Sequence, residues 1–366
     1  MRIGILTFHR ALNYGAVLQC YALQKVIKDL GHEVEVIDYR PDYIEKDRDI
    51  NGKYSLKHAK GGLAKMKVMV TLFLSYIYKR RAKRVFDNFI SNYYVLSSNS
   101  FTDIDDMPQD YNVYILGSDQ IWNPIICNGY SPVFWGQFKR NPMSVLATYA
   151  ASLGLATVSD EEKKLLSTYL RSFDCISVRE DSMKGILKDL TTHIPCSVLD
   201  PTLLAPIEIF EKIAIKPDVD KYVLLITLEK DTQAFYFASN IARQLGCKVV
   251  RLSALSNFVM YVQENSIKKI AVSPEEYCGL FKYATCTVCI SFHAIAFSLI
   301  FKKDFYALES IKRDRVYNLL SYLGLENRMV TSKANILFTS VSYSNYEGLM
   351  EKKRKTSMAY LKKVVQ

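Results

Sequence analysis

The sequence predicts an α/β protein made of two doubly wound domains facing each other across a cleft. Three observations carry that expectation. The chain has 366 residues, two to three times an ordinary domain of about 100 to 200 residues. Apolar, β-forming runs alternate with helical patterns along most of its length, and such alternation places helices on both faces of parallel, Rossmann-like sheets. The series pauses once, at the proline-bracketed stretch APIEIFEKIAIKPDVDK. The predicted organisation is therefore a first domain over 1–205, a linker over 206–220, a second domain over 221–340 and a basic C-terminal helix over 341–366.

The first domain opens with the strand RIGILTF, the loop HRALNYG and the helix AVLQCYALQKVIKDLG, in which Val17, Leu18, Tyr21, Leu23, Val26, Ile27 and Leu30 recur near helical spacing. Gly31 supplies the stop, and the strand EVEVIDY completes a βαβ unit. Strands YNVYILGSD and SVLATYAAS follow, then the helix SDEEKKLLSTYLRSF, whose Ser159 and Glu162 form a capping box. Strands DCISVRE and SVLDPTLL close the domain. The second domain starts with YVLLITL, a helix from Asp231 to Leu245 and the strand KVVRLSAL. Its next helix has Ser273 as N-cap, Pro274 in the first turn and Glu276 at N3. TCTVCIS, the helix HAIAFSLIF, the strand FYAL and the helix RDRVYNLLSYLG follow in turn.

Composition narrows the class. With 49% apolar and 23% charged residues the chain can build large cores, which excludes collagen-like and wholly disordered proteins. The start lacks the pattern of a secretory signal, and no apolar stretch reaches the roughly 18 to 20 residues of a spanning helix. The expected location is cytoplasmic. Cysteines scattered along such a chain read as reduced thiols, and the one close pair, Cys286 and Cys289, falls in a predicted strand, so neither a disulfide framework nor a metal site is expected. A net charge of +11 attracts anions without choosing among them; no nucleic-acid module accompanies it. Part of the excess brackets the apolar run Val68 to Tyr78, with Lys57, Lys60, Lys65 and Lys67 before it and Lys79, Arg80, Arg81, Lys83 and Arg84 after it. Such a helix either packs on its own domain or lies in the interface of an anionic membrane.

In parallel sheets ligands bind beyond the carboxyl ends of the strands. That rule selects Asn13, Tyr14 and Gly15 after the first strand, and Gly117, Ser118, Asp119 and Gln120 after YNVYIL. It also selects Ser152 after ATYAA, Arg179 and Glu180 after CISV, Asp200 after SVL, and Ser291, Phe292 and His293 after CTVCI. Neither GxGxxG after a strand nor GxxxxGK[ST] occurs, which disfavours an ordinary dehydrogenase or kinase. His293 is the strongest acid-base candidate, because imidazole titrates near neutrality. Arg179 offers a fork for carboxylate or phosphate, or a plain ion pair with Glu180. Asp119 and Asp200 serve either a site or a cap.

These residues carry a resemblance. GSDQIWNP, YAASLG, SVRED, DPTLL and above all SFHAIAFSLIFKKDF, with TFHRALNYGAVLQCYALQ at the amino end, resemble the motifs of the polysaccharide pyruvyl transferase family. The resemblance implies a two-domain fold of the GT-B glycosyltransferase type. It implies transfer of pyruvate from phosphoenolpyruvate, a co-substrate and not a resident cofactor, to a pair of sugar hydroxyls in an envelope or capsule glycan. His293 would be the proton donor or acceptor. Arg179, Ser291, Phe292 and Arg315 would bind the donor. Asn13, Tyr14, Gly15, Ser118, Asp119, Gln120, Ser152 and Asp200 would line the cleft or hold the acceptor, a lipid-linked oligosaccharide met at the inner membrane face. Many members have Arg-Leu-His where this chain has Ser291, Phe292 and His293, so either Arg315 or Lys302 would supply the missing charge or the donor would sit differently. A nucleotide-sugar glycosyltransferase and an inactive glycan-binding scaffold are the competing readings, since fold alone does not fix function.

Overall fold

The computed structural model describes residues 1–46, 48–155, 157–227, 232–253, 266–309 and 314–366. They fall into two compact units. One comprises Met1–His58, Ile90–Ala205 and Glu351–Gln366, the other Ala59–Phe89 and Pro206–Met350.

In the first unit, runs too short and too apolar for exposed helices pair as a parallel sheet. Its strands are β1 (Arg2–Leu6), β2 (Glu33–Tyr39), β3 (Leu96–Phe101), β4 (Val113–Leu116) and β5 (Val145–Thr148), in the order β3-β2-β1-β4-β5. Ile3 stands opposite Val34 on one side and Val113 on the other. A small pair, β6 (Ser177–Val178) and β7 (Cys196–Ser197), continues beyond β5 through the bridges of Ala147 to Cys175 and Ala151 to Val178. The helix Tyr14–Asp29 covers the sheet, ends beside Gly31 at φ 89° and buries Val17, Leu18, Leu23 and Ile27. Trp122 stacks on Trp135 with ring centroids 4.4 Å apart in the core of the unit.

The second unit repeats the plan with β8 (Tyr222–Thr227), β9 (Lys248–Ser253), β10 (Ser266–Ile270), β11 (Cys286–Cys289), β12 (Asp304–Leu308) and β13 (Met329–Val330). The order is β10-β9-β8-β11-β12-β13 and every pairing is parallel. Val223, Leu225, Phe237, Ile241, Val288 and Tyr306 share one core. Both units are thus doubly wound, as expected. Both predicted capping boxes form, at Ser159 with Glu162 and at Ser273 with Glu276. Cys286 and Cys289 lie buried on β11, where burial pushes the Cys289 thiol up to about 12.

The structure departs from the sequence reading in two ways, and part of that reading lies outside the described residues. β3 and β10 had no signal, because LSSNSF and SIKKI are polar or lysine-bearing; both are edge strands, where charge and polarity keep an exposed ladder from pairing further. The helix predicted from Asp231 is described over Thr232–Gln244; Asp231, Leu228, the end of KVVRLSAL and Arg313 lie outside the described residues. Finally, the units are not contiguous in the chain. The helix Tyr346–Val364 returns its last part to the first unit, where the Leu199 N–H donates to Ser357 Oγ at 2.9 Å and Tyr360 Oη donates to the Thr148 carbonyl at 2.8 Å. Counting strands and helices in chain order cannot show such a return, because burial partners are chosen by surface and not by sequence distance.

Candidate functional site

Each sheet has one point where the strand order reverses, and the free strand ends there leave room for a ligand. In the first unit it lies between β1 and β4, in the second between β8 and β11. The loops after β1 and β4 interlock. Thr7 Oγ1 donates to the Ser118 carbonyl at 3.0 Å, Gln19 Nε2 donates to Thr7 Oγ1 at 3.0 Å and the Ser118 N–H donates to Gln19 Oε1 at 3.3 Å. Gly117, at φ 112°, passes against the Tyr149 carbonyl oxygen, where a Cβ would come within 2.5 Å; only glycine fits. Asn13 caps the Tyr14–Asp29 helix by accepting the Ala16 N–H at 3.2 Å, with Tyr14 and Gly15 in its first turn.

Further along the same edge, six selected residues meet. Arg179, 3% exposed in its side chain, donates through Nη1 to Asp200 at 3.0 Å and through Nε to Glu180 at 3.3 Å, and its Nη2 stands 3.6 Å from Asp119. Ser118 Oγ donates to Asp200 at 3.2 Å and Ser152 Oγ donates to Glu180 at 2.8 Å. Asp200 also caps the turn after it, accepting from the Thr202 N–H at 3.0 Å. Gln120 accepts from Asn123 Nδ2 at 2.8 Å. Burial by itself would lower the Arg179 pKa, but Glu180, Asp119 and Asp200 outweigh it and hold the guanidinium charged. Its fork, expected to grip a donor anion, is engaged by carboxylates of its own unit. One cation among three acids makes this a negative nest that braces four loops.

A second network on this edge escaped the sequence reading. Asp38, at the end of β2, accepts from Arg10 Nε at 2.8 Å and Nη2 at 2.7 Å, from Arg40 Nε at 3.0 Å and Nη2 at 2.7 Å, and from His9 Nε2 at 2.9 Å. Arg48 Nη1 donates to the Arg10 carbonyl at 2.7 Å. Burial lowers the His9 pKa. Burial also pushes Asp38 upward, yet the hydrogen bonds from His9, Arg10 and Arg40 together hold it well below the usual carboxylate range. The signal was available: the strand-end rule, applied to β2 and to the residues just after β1, selects all of them except Arg48.

In the second unit the loop after β11 carries Ser291, Phe292 and His293. Ser291 Oγ accepts the Ala294 N–H at 3.3 Å and so caps the helix Phe292–Ile300. The position where the resemblance led to the expectation of an arginine thus serves here as a neutral cap. Phe292 is buried with its ring centroid 5.4 Å from that of the half-buried His293. Arg315 is in the first turn of the helix Asp314–Tyr322, which follows β12, a strand parallel to β11 whose carboxyl end lies at the edge that carries His293. Lys302 does not reach that edge. It follows the far end of the nine-residue helix, about 13 Å from His293 along the axis, and pairs with Glu347. Among the described residues no group of three or more His, Cys, Asp or Glu side chains is arranged to hold a metal ion.

Against this geometry stand the likenesses to known proteins. Residues 13–310 match the model of a family described as polysaccharide pyruvyl transferase. No curated protein matches the chain. Among solved structures the chain is similar to UDP-N-acetylglucosamine 2-epimerase from Rickettsia bellii, at 9% identity, 99% coverage of this chain, 97% of that chain and a TM-score of 0.46. It is similar to UDP-GlcNAc 2-epimerase from Methanocaldococcus jannaschii at 10% identity, with 99% and 92% coverage and a TM-score of 0.44. The glycosyltransferase SnogD from Streptomyces nogalater shares 12% identity over 100% of this chain and 95% of its own, with a TM-score of 0.38.

Proposed function

The chain belongs to the polysaccharide pyruvyl transferase family, and from that premise we propose that it moves pyruvate from phosphoenolpyruvate onto two hydroxyls of one sugar in an envelope or capsule repeat unit, as a ketal. The observation that carries the reading is a family match over residues 13–310, a range that takes in strands of both sheets and His293, which opens a helix at the switch point of the second sheet.

The chemistry asks for few groups. C3 of the enol takes a proton, one sugar hydroxyl adds to C2 as its own proton leaves, and the second hydroxyl then displaces phosphate, so that ketal and inorganic phosphate are the products. His293 gives or takes the proton at these steps. The donor carries a carboxylate and a phosphate, and these fit forked cations and helix N-termini. With the Arg179 fork engaged by Asp200 and Glu180, the donor-binding groups fall to the edge that carries His293, namely Arg315 and the first turn of the Phe292–Ile300 helix. Asn13, Ser118, Asp119, Gln120, Ser152 and Asp200 are the acceptor-binding candidates of the first unit, with Arg179 positioning the carboxylates among them.

The test is phosphate release from phosphoenolpyruvate in the presence of lipid-linked oligosaccharide fractions. Release should require the acceptor, and the glycan should gain the mass of pyruvic acid less one water. Turnover that ignores phosphoenolpyruvate but requires a nucleotide sugar would replace pyruvyl transfer with glycosyl transfer.

A further inference from the structure

The helix Gly62–Tyr93 has one stripe turned inward and one left in water. At about 100° per residue, Ser75, Ala82 and Phe86 fall on a single line, and all three are buried. On the other side Leu63, Met66, Met69, Val70, Phe73 and Ile77 fill an arc of about 120° over roughly 21 Å of axis. All six are exposed, Phe73 at 83%, Leu63 at 81% and Ile77 at 75%. Charge is arranged around that arc. Lys65 and Lys67 lie on its two edges, and Arg80, Arg81 and Arg84 continue the same face beyond Ile77, each of them exposed. No acidic residue occurs in the helix before Asp87.

We propose that this face docks on an anionic lipid bilayer, with the helix lying in the plane of the interface, its apolar arc among the upper acyl chains and its lysines and arginines on the headgroup phosphates. No described helix is long and apolar enough to cross a membrane, and an amphipathic helix with a basic border has the chemistry of one that lies on its surface. Charge separates the bilayer from a second copy of this chain as occupant. Two such faces brought together would set lysine and arginine against lysine and arginine with no carboxylate between them, whereas a bilayer offers hydrocarbon and negative phosphate at adjacent depths. The inference stands apart from the donor chemistry, because its test uses neither phosphoenolpyruvate nor a glycan.

The full chain is sedimented with vesicles of phosphatidylcholine alone and of phosphatidylcholine mixed with phosphatidylglycerol. At low salt it should bind the mixed vesicles about tenfold or more tightly than the neutral ones, and salt should weaken that binding by screening. Phe73→Glu combined with Ile77→Glu should abolish binding by a similar factor without changing Tm, since both side chains already face water. Arg80→Gln, Arg81→Gln and Arg84→Gln together should weaken binding and flatten its salt dependence. The proposal fails if the wild-type chain sediments with neither vesicle, or if the double glutamate variant binds like wild type. It also fails if the chain is a dimer without lipid that those glutamates convert to a monomer, because the face then belongs to a second copy.

Discussion

The two sheets end in loops of different character. In the first unit, polar side chains after the strands are used on one another: Arg179 on Asp200 and Glu180, Ser118 on Asp200, Arg10 and Arg40 on Asp38. In the second, the described loop after β11 holds a capping serine, a buried phenylalanine and a half-buried histidine. A rule that selects strand ends finds both sets. It does not distinguish residues that brace a site from residues that act in it, and the partner of each charge does. The first edge holds charges that neutralise one another within the unit, and the second carries the histidine to which the proposed reaction assigns the proton.

Substitutions can break or sharpen that contrast, and the largest effect belongs to Asp38. Replacing it with asparagine removes the charge that accepts from Arg10, only 10% exposed in its side chain, as well as from Arg40 and His9, and removing one partner of a buried pair costs about 3 to 5 kcal/mol. The pH dependence follows from the lowered folded pKa. Its contribution is complete above the ordinary aspartate value of about 3.9 and is lost as pH falls through the lower folded value. In urea unfolding, the gap between wild type and Asp38→Asn should be widest at neutral pH and should begin to shrink below about pH 4, being about 1 kcal/mol smaller near pH 3. A gap of the same width at both would remove the ionised carboxylate from the account.

His293→Ala should act in the opposite register. Turnover should fall about a hundredfold, equivalent to about 2.7 kcal/mol, with little change in urea midpoint. A folded variant that turns over normally would erase the distinction between the two edges.

Arg179→Lys should cost about 1 to 3 kcal/mol of stability, because a point ammonium leaves some of the buried acceptors on Asp200 and Glu180 unmet. The KM for phosphoenolpyruvate should move little. If KM rises severalfold while stability holds, Arg179 grips the donor after all and the wall is part of the donor site.

Ser291→Ala removes a cap and should lower stability by about 1 kcal/mol, read as a small drop in Tm. Ser291→Arg sharpens the same position, since an added fork there should lower the KM for an anionic donor if this edge binds it.

Much of the architecture was legible in local chemistry. Ser159 with Glu162 and Ser273 with Glu276 announce helix starts because the reciprocal bonds of a capping box involve only residues three apart. Gly31 announces a stop for the same local reason, and the apolar runs of β1, β4, β8 and β11 are dense because parallel strands are buried on both faces. The strand-end rule placed Ser118, Asp119, Ser152, Arg179 and Asp200 on one edge and His293 on another. What the sequence could not decide is which charges meet. Asp38 is 28 residues from Arg10 and Arg179 is 21 from Asp200, and nothing local distinguishes those pairings from solvated ends. Polar edge strands such as β3 and β10, the return of Ser357 and Tyr360 to the first unit, and the turning of Phe73 and Ile77 toward water depend on what else occupies the surface. Periodicity determines that a helix has a face; only the tertiary structure determines what that face meets, because burial is a property of neighbours far apart in the chain.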